Sequence, residues 1–580
     1  MPLRGSISAS GDLSPLSYIA GAITGNPDIM VQIGKGSDRK VVPSDHALEI
    51  ARLQPVKLGP KEGLGLLNGT ATSVAVGSLA LFDSHNLLLL SQVLTSMSVE
   101  ALCGSYGNFD PFIAEVRPHD GQTMVAAAIR FLLKDSRFAR GLSQDDSRNV
   151  GLYQDRYSLR TSSQWLGPQL EDLMLAERQI TTELNSTTDN PLIDIEKDRI
   201  HHGGNFQATS VTSAVEKSRL GMQMVGKLLF AQCSELINPA LNNGLPPNLA
   251  ADEPSLSFTC KGIDTSMAAY MSELAFLANP VSSHVQSAEM HNQAVNSLAL
   301  ISARYTAKAT ELVTLMAAAH IFVLCQALDL RAMLVNFYAQ LQPALETLTH
   351  HMWKTCLSTS EITELDTLLW QHIKVTWSEK SHLDSADRSK NVVESSLSTI
   401  ATFLMSSACP LGEDTAYIAR AWKTKAQTLV LDVYRSVRIE FFRTQDTIHY
   451  LGQGSKAIYS YVREEVGVPF HQGLDEHPRI SGETLDGRKR ANIGTWISKI
   501  HEAIRSGELY ACILKLTGTY DDAISSNDTT ENVKKDAVER VVMNWRSTEN
   551  EKMKVLKNGE KLTAKSDAAA QFMQAATAMV

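Results

Sequence analysis

The tripeptide Ala9-Ser10-Gly11 can become a catalytic group without any bound cofactor. The nitrogen of Gly11 attacks the carbonyl carbon of Ala9, two waters leave, and a five-membered ring closes. Its exocyclic methylene comes from the side chain of Ser10. The product, a methylidene-imidazolone (MIO), is a strong electrophile. Each residue type is needed. Gly11 has no side chain to block its nitrogen and tolerates a strained backbone. Ser10 supplies the hydroxyl that is eliminated, and Ala9 is small enough to let the turn tighten. The tripeptide alone discriminates poorly, since roughly one chain in five of this length contains it by chance at average composition. The plain reading is a Ser/Gly turn ahead of a helix, and only wider context separates the two.

Further stretches carry groups with chemical potential. Asn68-Gly69-Thr70 interrupts an apolar run that includes Leu64. It is either a kink or a buried amide with a function, and the residues leave both open. Gln154, Tyr157 and Arg160 stand three apart, so a helical turn could present all three on one side. A guanidinium can hold a carboxylate bidentately, and a tyrosine nearby can donate or accept a proton. The competing reading is an ordinary polar helix surface. His201-His202 has no further ligands at a useful spacing, so no metal is expected there. Glu289, Asn292 and Gln293 fall at i, i+3 and i+4, which would share one helical face. That face is either solvated or holds a carboxylate with a use, because burying one unpaired is costly.

The context lies in the order of these segments. Gly5-Ser6-Ile7-Ser8-Ala9-Ser10-Gly11-Asp12-Leu13-Ser14-Pro15-Leu16-Ser17 resembles the signature of the aromatic amino-acid ammonia-lyase family, which includes histidine and phenylalanine ammonia-lyases and related aminomutases. Leu64-Gly65-Leu66-Leu67-Asn68-Gly69-Thr70 and Gln154-Asp155-Arg156-Tyr157-Ser158-Leu159-Arg160 resemble later motifs of that family. So do Ser186-Thr187-Thr188-Asp189-Asn190-Pro191, His201-His202-Gly203-Gly204-Asn205-Phe206-Gln207 and Ala288-Glu289-Met290-His291-Asn292-Gln293. The matches are dense from Arg4 to about Arg331 and thinner to Leu516. The phenylalanine branch, in its fungal form, looks most similar.

The resemblance implies a set of roles. Ala9-Ser10-Gly11 would form the MIO. Arg160 would bind the substrate carboxylate, with Tyr157 and Gln154 beside the ring and the substrate. Asn68 and Asn190 would neighbour the ring, Phe206 would stack on it, and Leu64 would line the aromatic pocket. Glu289, Asn292 and Gln293 would lie near the substrate amine. In Lys261-Gly262-Ile263-Asp264-Thr265 the family commonly has an aliphatic residue where Thr265 stands, close to the substrate ring. That hydroxyl keeps tyrosine open as an alternative substrate.

The implied reaction is loss of ammonia from L-phenylalanine to give trans-cinnamate. An aminomutase on the same scaffold is an alternative. The substrate's amine, or its aromatic ring, would add to the methylene, and helix N-termini aimed at the ring would strengthen it as an electrophile. The family's base is a tyrosine on a loop well upstream, and only eight residues precede Ala9. On that count the chain is expected to lack its N-terminal portion, and a non-catalytic fragment is a further alternative. The resemblance also implies a homotetramer whose active sites are shared between three subunits.

These groups need elements to position them. The chain is long enough for several domains or one large core. It is 43% hydrophobic and 20% charged, with a net charge of −9. Nothing marks a basic nucleic-acid stripe. Seven scattered cysteines, odd in number and without a CxxC pair, read as reduced thiols in a cytoplasmic protein. No signal peptide is expected before the first motif. Leu312 to Leu328 is the most apolar stretch, yet it contains His320 and Gln326, so it is expected as a core helix rather than a membrane span.

Met30–Gly34 and Lys40–Val42 flank a turn and predict a small β-hairpin, the one convincing strand signal. From Glu62 onward the periodicity is helical. No glycine occurs between Gly262 and Gly412, where about ten are expected, so a few long helices should fill that interval. Pro280 should start one that runs to about Leu334, and Pro410-Leu411-Gly412 should break another. Asp475 to Lys489 reads as a surface loop, and Thr495 to Leu516 as an amphipathic helix. The expected class is therefore mainly α, a long-helix bundle with a small hairpin near the N-terminus. The expected divisions are an MIO-domain portion at 1–60, a helical core at 61–334 and a return to the core at 451–516. A helical insertion at 335–450, by analogy, shields the site. The Asp/Asn/Lys/Glu-rich stretch 517–580 is expected as a flexible tail.

Overall fold

The computed structural model describes residues 1–525 apart from 3, 36–37, 142–153, 408, 410–411, 478, 480–483 and 485–489, with side chains to residue 516. The chain begins with α1 (Leu13–Ile23), the hairpin β1 (Met30–Ile33) and β2 (Lys40–Pro43), then α2 (Ser44–Ile50) and α3 (Glu62–Leu67). Next come α4 (Ala71–Ala101), α5 (Pro111–Glu115), α6 (Asp120–Leu132), α7 (Tyr157–Arg160) and α8 (Ser162–Leu184). A second hairpin, β3 (Leu192–Asp194) and β4 (Arg199–His201), precedes α9 (Thr209–Ile237) and α10 (Lys261–Leu277). Then follow α11 (Ala299–Trp353), α12 (Thr359–Glu379), α13 (Ser385–Ser406) and α14 (Glu413–Thr444). Last are α15 (Gln453–Ser460), α16 (Ile493–Arg505) and α17 (Glu508–Ser525).

The core follows from which helices are buried all round. Leu87, Leu88, Leu90, Val93, Leu94 and Met97 cover more than one face of α4, and all are buried. On its other side Ser84, Ser91, Gln92, Ser96 and Ser98 are buried too, each bonded to a carbonyl one turn back, so every side of the helix is covered. α4 is enclosed by α8, α9 and α11, and α11 packs along both α4 and α9. The expected core helix Leu312–Leu328 is the buried middle of α11. Both α11 and the stretch Glu62–Ala101 are long and apolar enough to cross a membrane, but the most apolar window of α11 is 83% buried in the bundle. Each fully buried Leu or Phe there contributes about 1.5–3 kcal/mol.

The mainly α class and the first hairpin are as expected. The hairpin at β1 and β2 pairs Met30 with Pro43 and Ile33 with Lys40. The second hairpin, at β3 and β4, was not signalled, because three-residue strands carry too little alternation to register.

The glycine-free interval does form long helices, and α11 passes through Pro343 unbroken. Its start differs from the expectation at Pro280. Glu289, Met290, His291 and Leu298 all have positive φ, which a right-handed helix cannot accommodate. The backbone here bonds elsewhere: Val281 and Ser282 donate to Glu216 Oε1 at 2.6 and 2.9 Å, and Leu298 donates to the carbonyl of Ile7 at 3.0 Å.

The single helix expected over Thr495–Leu516 is two, divided at Gly507 with φ +86°. The break expected at Pro410-Leu411-Gly412 falls between α13 and α14, with 410 and 411 outside the described residues. Most of the expected loop 475–489 also lies outside them. Of its described residues, Glu476 and Thr484 are buried rather than on the surface. The stretch 526–580 is outside the described residues, and α17 continues to Ser525.

Candidate active site

The turn Ser8–Asp12 is held by three helix N-termini. α1 starts at Leu13, directly after it. Ser73, in the first turn of α4, donates its amide to Asp12 Oδ2 at 2.6 Å. Leu300, in the first turn of α11, donates its amide to Ser8 Oγ at 3.1 Å. These amides have no intrahelical partner, so side chains of the turn satisfy them. The positive ends of α4 and α11 are thereby brought onto the tripeptide.

Asp12 is fully buried at the centre of this arrangement. It also accepts from the hydroxyls of Ser73 at 2.7 Å and Ser8 at 2.8 Å. Burial raises its carboxyl above the ordinary range, while the hydrogen bonds from Ser73, Ser8 and Ser6 pull the other way. The Ser297 hydroxyl donates to the carbonyl of Ser8 at 3.0 Å. Asp12, Ser73 and Ser297 were not singled out from sequence. Asp12 follows Gly11 directly, and that adjacency was the one local signal.

The tripeptide itself lies on a tightly turned backbone. Ser10 and Gly11 both take positive φ, +50° and +80°. A Cβ on Gly11 would lie 2.2 Å from the backbone nitrogen and oxygen of Gly69, so only glycine fits there. Asp12 donates its amide to the Gly69 carbonyl at 2.7 Å. Ala9 is buried, and Gln293 Nε2 donates to Ser10 Oγ at 3.0 Å. The residues present therefore fit an MIO formed from Ala9, Ser10 and Gly11.

Several expected residues gather around this turn. Asn68 ends α3 and breaks the helix before α4, so Asn68-Gly69-Thr70 is a kink. Gly69 has φ +124°, and the Thr70 amide lies 3.3 Å from Thr188 Oγ1. Lys61 pairs with Asp189 at 2.5 Å, tying α3, which carries Leu64, to the Asn190 turn. The Oδ1 of Asn190 is buried without a hydrogen-bond partner. Asn205 reaches the Thr187 carbonyl at 3.2 Å and Gln207 reaches the Val295 carbonyl at 3.2 Å, so Phe206 is held between those two segments. Glu289 and Asn292 are exposed and bonded to each other at 3.1 Å. The helical face expected for Glu289, Asn292 and Gln293 is absent. They lie on turns, with Glu289, Met290 and His291 at positive φ.

Other expected residues form a second cluster at the far end of α9. Gln154 precedes the single turn of α7 rather than sharing it with Tyr157 and Arg160, because α7 spans only Tyr157–Arg160. Tyr157 is 70% exposed, and the Arg160 guanidinium carbon lies 5.1 Å from its ring centre. Arg160 Nε is buried without a partner. The segment is anchored by Ser158, which donates to Glu235 at 2.6 Å, and by Gln232, which donates to the Ser158 carbonyl at 3.0 Å. Lys261 and Thr265 are exposed on α10, whose Asp264 accepts from Ser234 at 3.1 Å. Lys261 Nζ lies 5.0 Å from the centre of the Phe258 ring, itself 59% exposed.

The first cluster contacts the opposite end of α9, where Thr212 donates to the Ser297 carbonyl at 2.7 Å. At helical rise, Thr212 and Glu235 are about 35 Å apart. One chain therefore carries the expected residues in two clusters that it does not bring together.

Comparison with known proteins identifies the family and the fold. A family model described as aromatic amino acid lyase matches residues 1–352. A phenylalanine ammonia-lyase of Aspergillus hancockii is 52% identical over 524 residues, covering 89% of this chain and 74% of its own length. A phenylalanine aminomutase of Talaromyces islandicus, forming L-β-phenylalanine, is 48% identical over 517 residues, covering 89% and 72%. Two crystal structures of phenylalanine ammonia-lyase from Rhodosporidium toruloides superpose with TM-scores of 0.83 and 0.81 at 44% and 43% identity. Each match covers 89% of this chain and 76% of the other.

Proposed function

The chain belongs to the aromatic amino acid lyase family, and from that premise we propose how its own residues carry the reaction. The activity is non-oxidative elimination of ammonia from L-phenylalanine, giving trans-cinnamate. The observation that carries the reading is the turn Ser8–Asp12, with Ser10 and Gly11 at positive φ and Gln293 on the Ser10 hydroxyl.

Ala9, Ser10 and Gly11 form the MIO, which supplies the electrophile that makes ammonia a leaving group. Asp12, Ser8 and Ser73 hold the turn tight enough for the Gly11 nitrogen to reach Ala9. Gln293, Asn68, Asn190 and Phe206 shape the surroundings of Ser10, and Leu64 lines the side where the aromatic ring sits. Glu289 and Asn292 flank the substrate amine. Arg160 binds the substrate carboxylate through a guanidinium whose Nε has no partner of its own. Tyr157 and Gln154 lie beside it, with Tyr157 placed to exchange a proton. Lys261 and Thr265 line the far wall, where the Thr265 hydroxyl bears on phenylalanine against tyrosine.

Because the half-sites are about 35 Å apart along α9, a working site draws them from different subunits of a homotetramer. The seven cysteines are free thiols, which suits a cytosolic location. No metal or nucleic acid takes part.

The test is to add L-phenylalanine to the purified chain and follow cinnamate by its ultraviolet absorbance. Absence of arylacrylate from every aromatic amino acid would sink the reading. The second reading is an aminomutase, favoured by the likeness to the Talaromyces islandicus enzyme. β-Phenylalanine as the major product, resolved by chromatography, would establish it.

A further inference from the structure

A cleft of about 330 Å³ opens beside the reactive turn, lined by Arg4, Gly5, Ile301, Arg304, Tyr305 and Lys308. Ile301, Arg304, Tyr305 and Lys308 are spaced 3, 4 and 7 residues apart and so form one face of the first turns of α11. Arg4 closes the cleft from the other side, on the strand of chain that leads into Ser8. Gly5, at φ +98°, adds only backbone there.

Three cationic side chains thus surround one cavity. Among the described residues, none of the three forms an ion pair with a carboxylate. Arg304 Nε is buried with no hydrogen-bond partner. Its guanidinium is held below its usual range, mainly by burial and further by the like charge of Arg4, with only the Tyr305 hydroxyl acting the other way. Like charges gathered at a concave, partly desolvated surface repel unless an anion sits between them. An orphaned guanidinium N–H is costly unless an acceptor is supplied.

We propose that this cleft is a binding site for a small multivalent oxyanion of the phosphate class, separate from the substrate carboxylate site at Arg160. Arg304 offers a planar fork for two oxygens, while Arg4 and Lys308 supply the remaining charge. The bound anion bridges the N-terminal segment to α11. Both of these also hold Ser8, through the Ile7–Leu298 and Ser8–Leu300 hydrogen bonds. Occupancy therefore stiffens the frame around Ala9-Ser10-Gly11 without touching it.

The experiment is a titration of the full chain with inorganic phosphate at fixed ionic strength, balanced with sodium chloride. Melting temperature and calorimetric heat are both read. Phosphate should raise the melting temperature saturably, whereas acetate at the same ionic strength should not. Arg304→Gln and, separately, Lys308→Ala should each weaken phosphate binding by about tenfold, the loss of one charge-assisted contact. Lys308 is exposed, so its variant stands even where Arg304→Gln fails to fold. The proposal is overturned if chloride or acetate matches phosphate, or if phosphate binds Lys308→Ala as tightly as it binds the parent.

Discussion

Ser73 donates both its amide, at 2.6 Å, and its hydroxyl, at 2.7 Å, to the carboxylate of Asp12. This two-point contact fastens the start of α4 to the residue after Gly11. Asn at position 12 would turn an amide NH2 toward at least one of those donors. Asp12→Asn should therefore lose about 1–3 kcal/mol of stability, read by thermal unfolding, and should form product more slowly. An unchanged melting temperature would mean the contact is dispensable.

Two glycines meet back to back beneath the reactive turn. A Cβ on Gly11 would strike the backbone of Gly69 at 2.2 Å, whereas one on Gly69 would meet the Thr188 hydroxyl at 2.8 Å. Gly11→Ala should abolish cinnamate formation. Gly69→Ala should fold and lose about 1–3 kcal/mol, mostly from its φ of +124°. Equal tolerance of the two changes in melting and activity assays would contradict this packing.

Ring closure removes two waters, so the intact mass of the purified chain should fall short of the sequence mass by about 36 Da. Ser10→Ala should show no such deficit, should melt near the parent temperature and should release no cinnamate. A full-mass parent that still turns over phenylalanine would remove the MIO from the mechanism.

Separate half-sites predict complementation. Ser10→Ala and Arg160→Ala should each be inactive alone. Refolded together in equal amounts, they should regain roughly a quarter of parental activity, the chance that a site draws one intact half from each of two chains. No recovery in a mixture shown to contain mixed oligomers would place both residues in one chain's site.

Glu100 is fully buried, bonded to the Gly452 amide at 2.6 Å and to the Ser455 hydroxyl, and burial pushes its carboxyl up to about 7. The sign follows from a folded value above the unfolded one. The protonated carboxyl favours the folded state fully below about 4.5, and that contribution is lost as pH rises through 7. Glu100→Gln cannot ionise. Its stability relative to the parent should therefore grow between pH 5 and pH 8, by up to about 3 kcal/mol. Parallel melting curves across that range would show that Glu100 keeps its ordinary titration.

The bundle was legible because its signals are local and repeated. The apolar residues on more than one face of α4, the missing glycines after Gly262 and the turn between β1 and β2 are all read without knowledge of distant partners. The tripeptide was legible only through the order of the motifs around and after it. What escaped was long-range. Ser297 and Leu300 reach back to Ser8, and Glu289 to His291 take positive φ rather than the helix their spacing suggested. No window along the chain contains both partners. Asp12 was overlooked likewise, because its importance lies in Ser73. Arg160 and Ser10 resembled members of one site, yet α9 holds them at its opposite ends.

The length of α9 then carries a constraint of its own. It works as a gauge bar between two dissimilar surface fittings on the same subunit. Removing one residue from its middle would shorten it by about 1.5 Å and swing one end by about 100° relative to the other. Point changes along its exposed side should be absorbed freely. Insertions and deletions should not be, because they would change the spacing and the relative angle of the two ends at once. Sequence variation in α9 should accordingly appear as substitution at constant length, whereas the surface connections of the fold are free to grow and shrink.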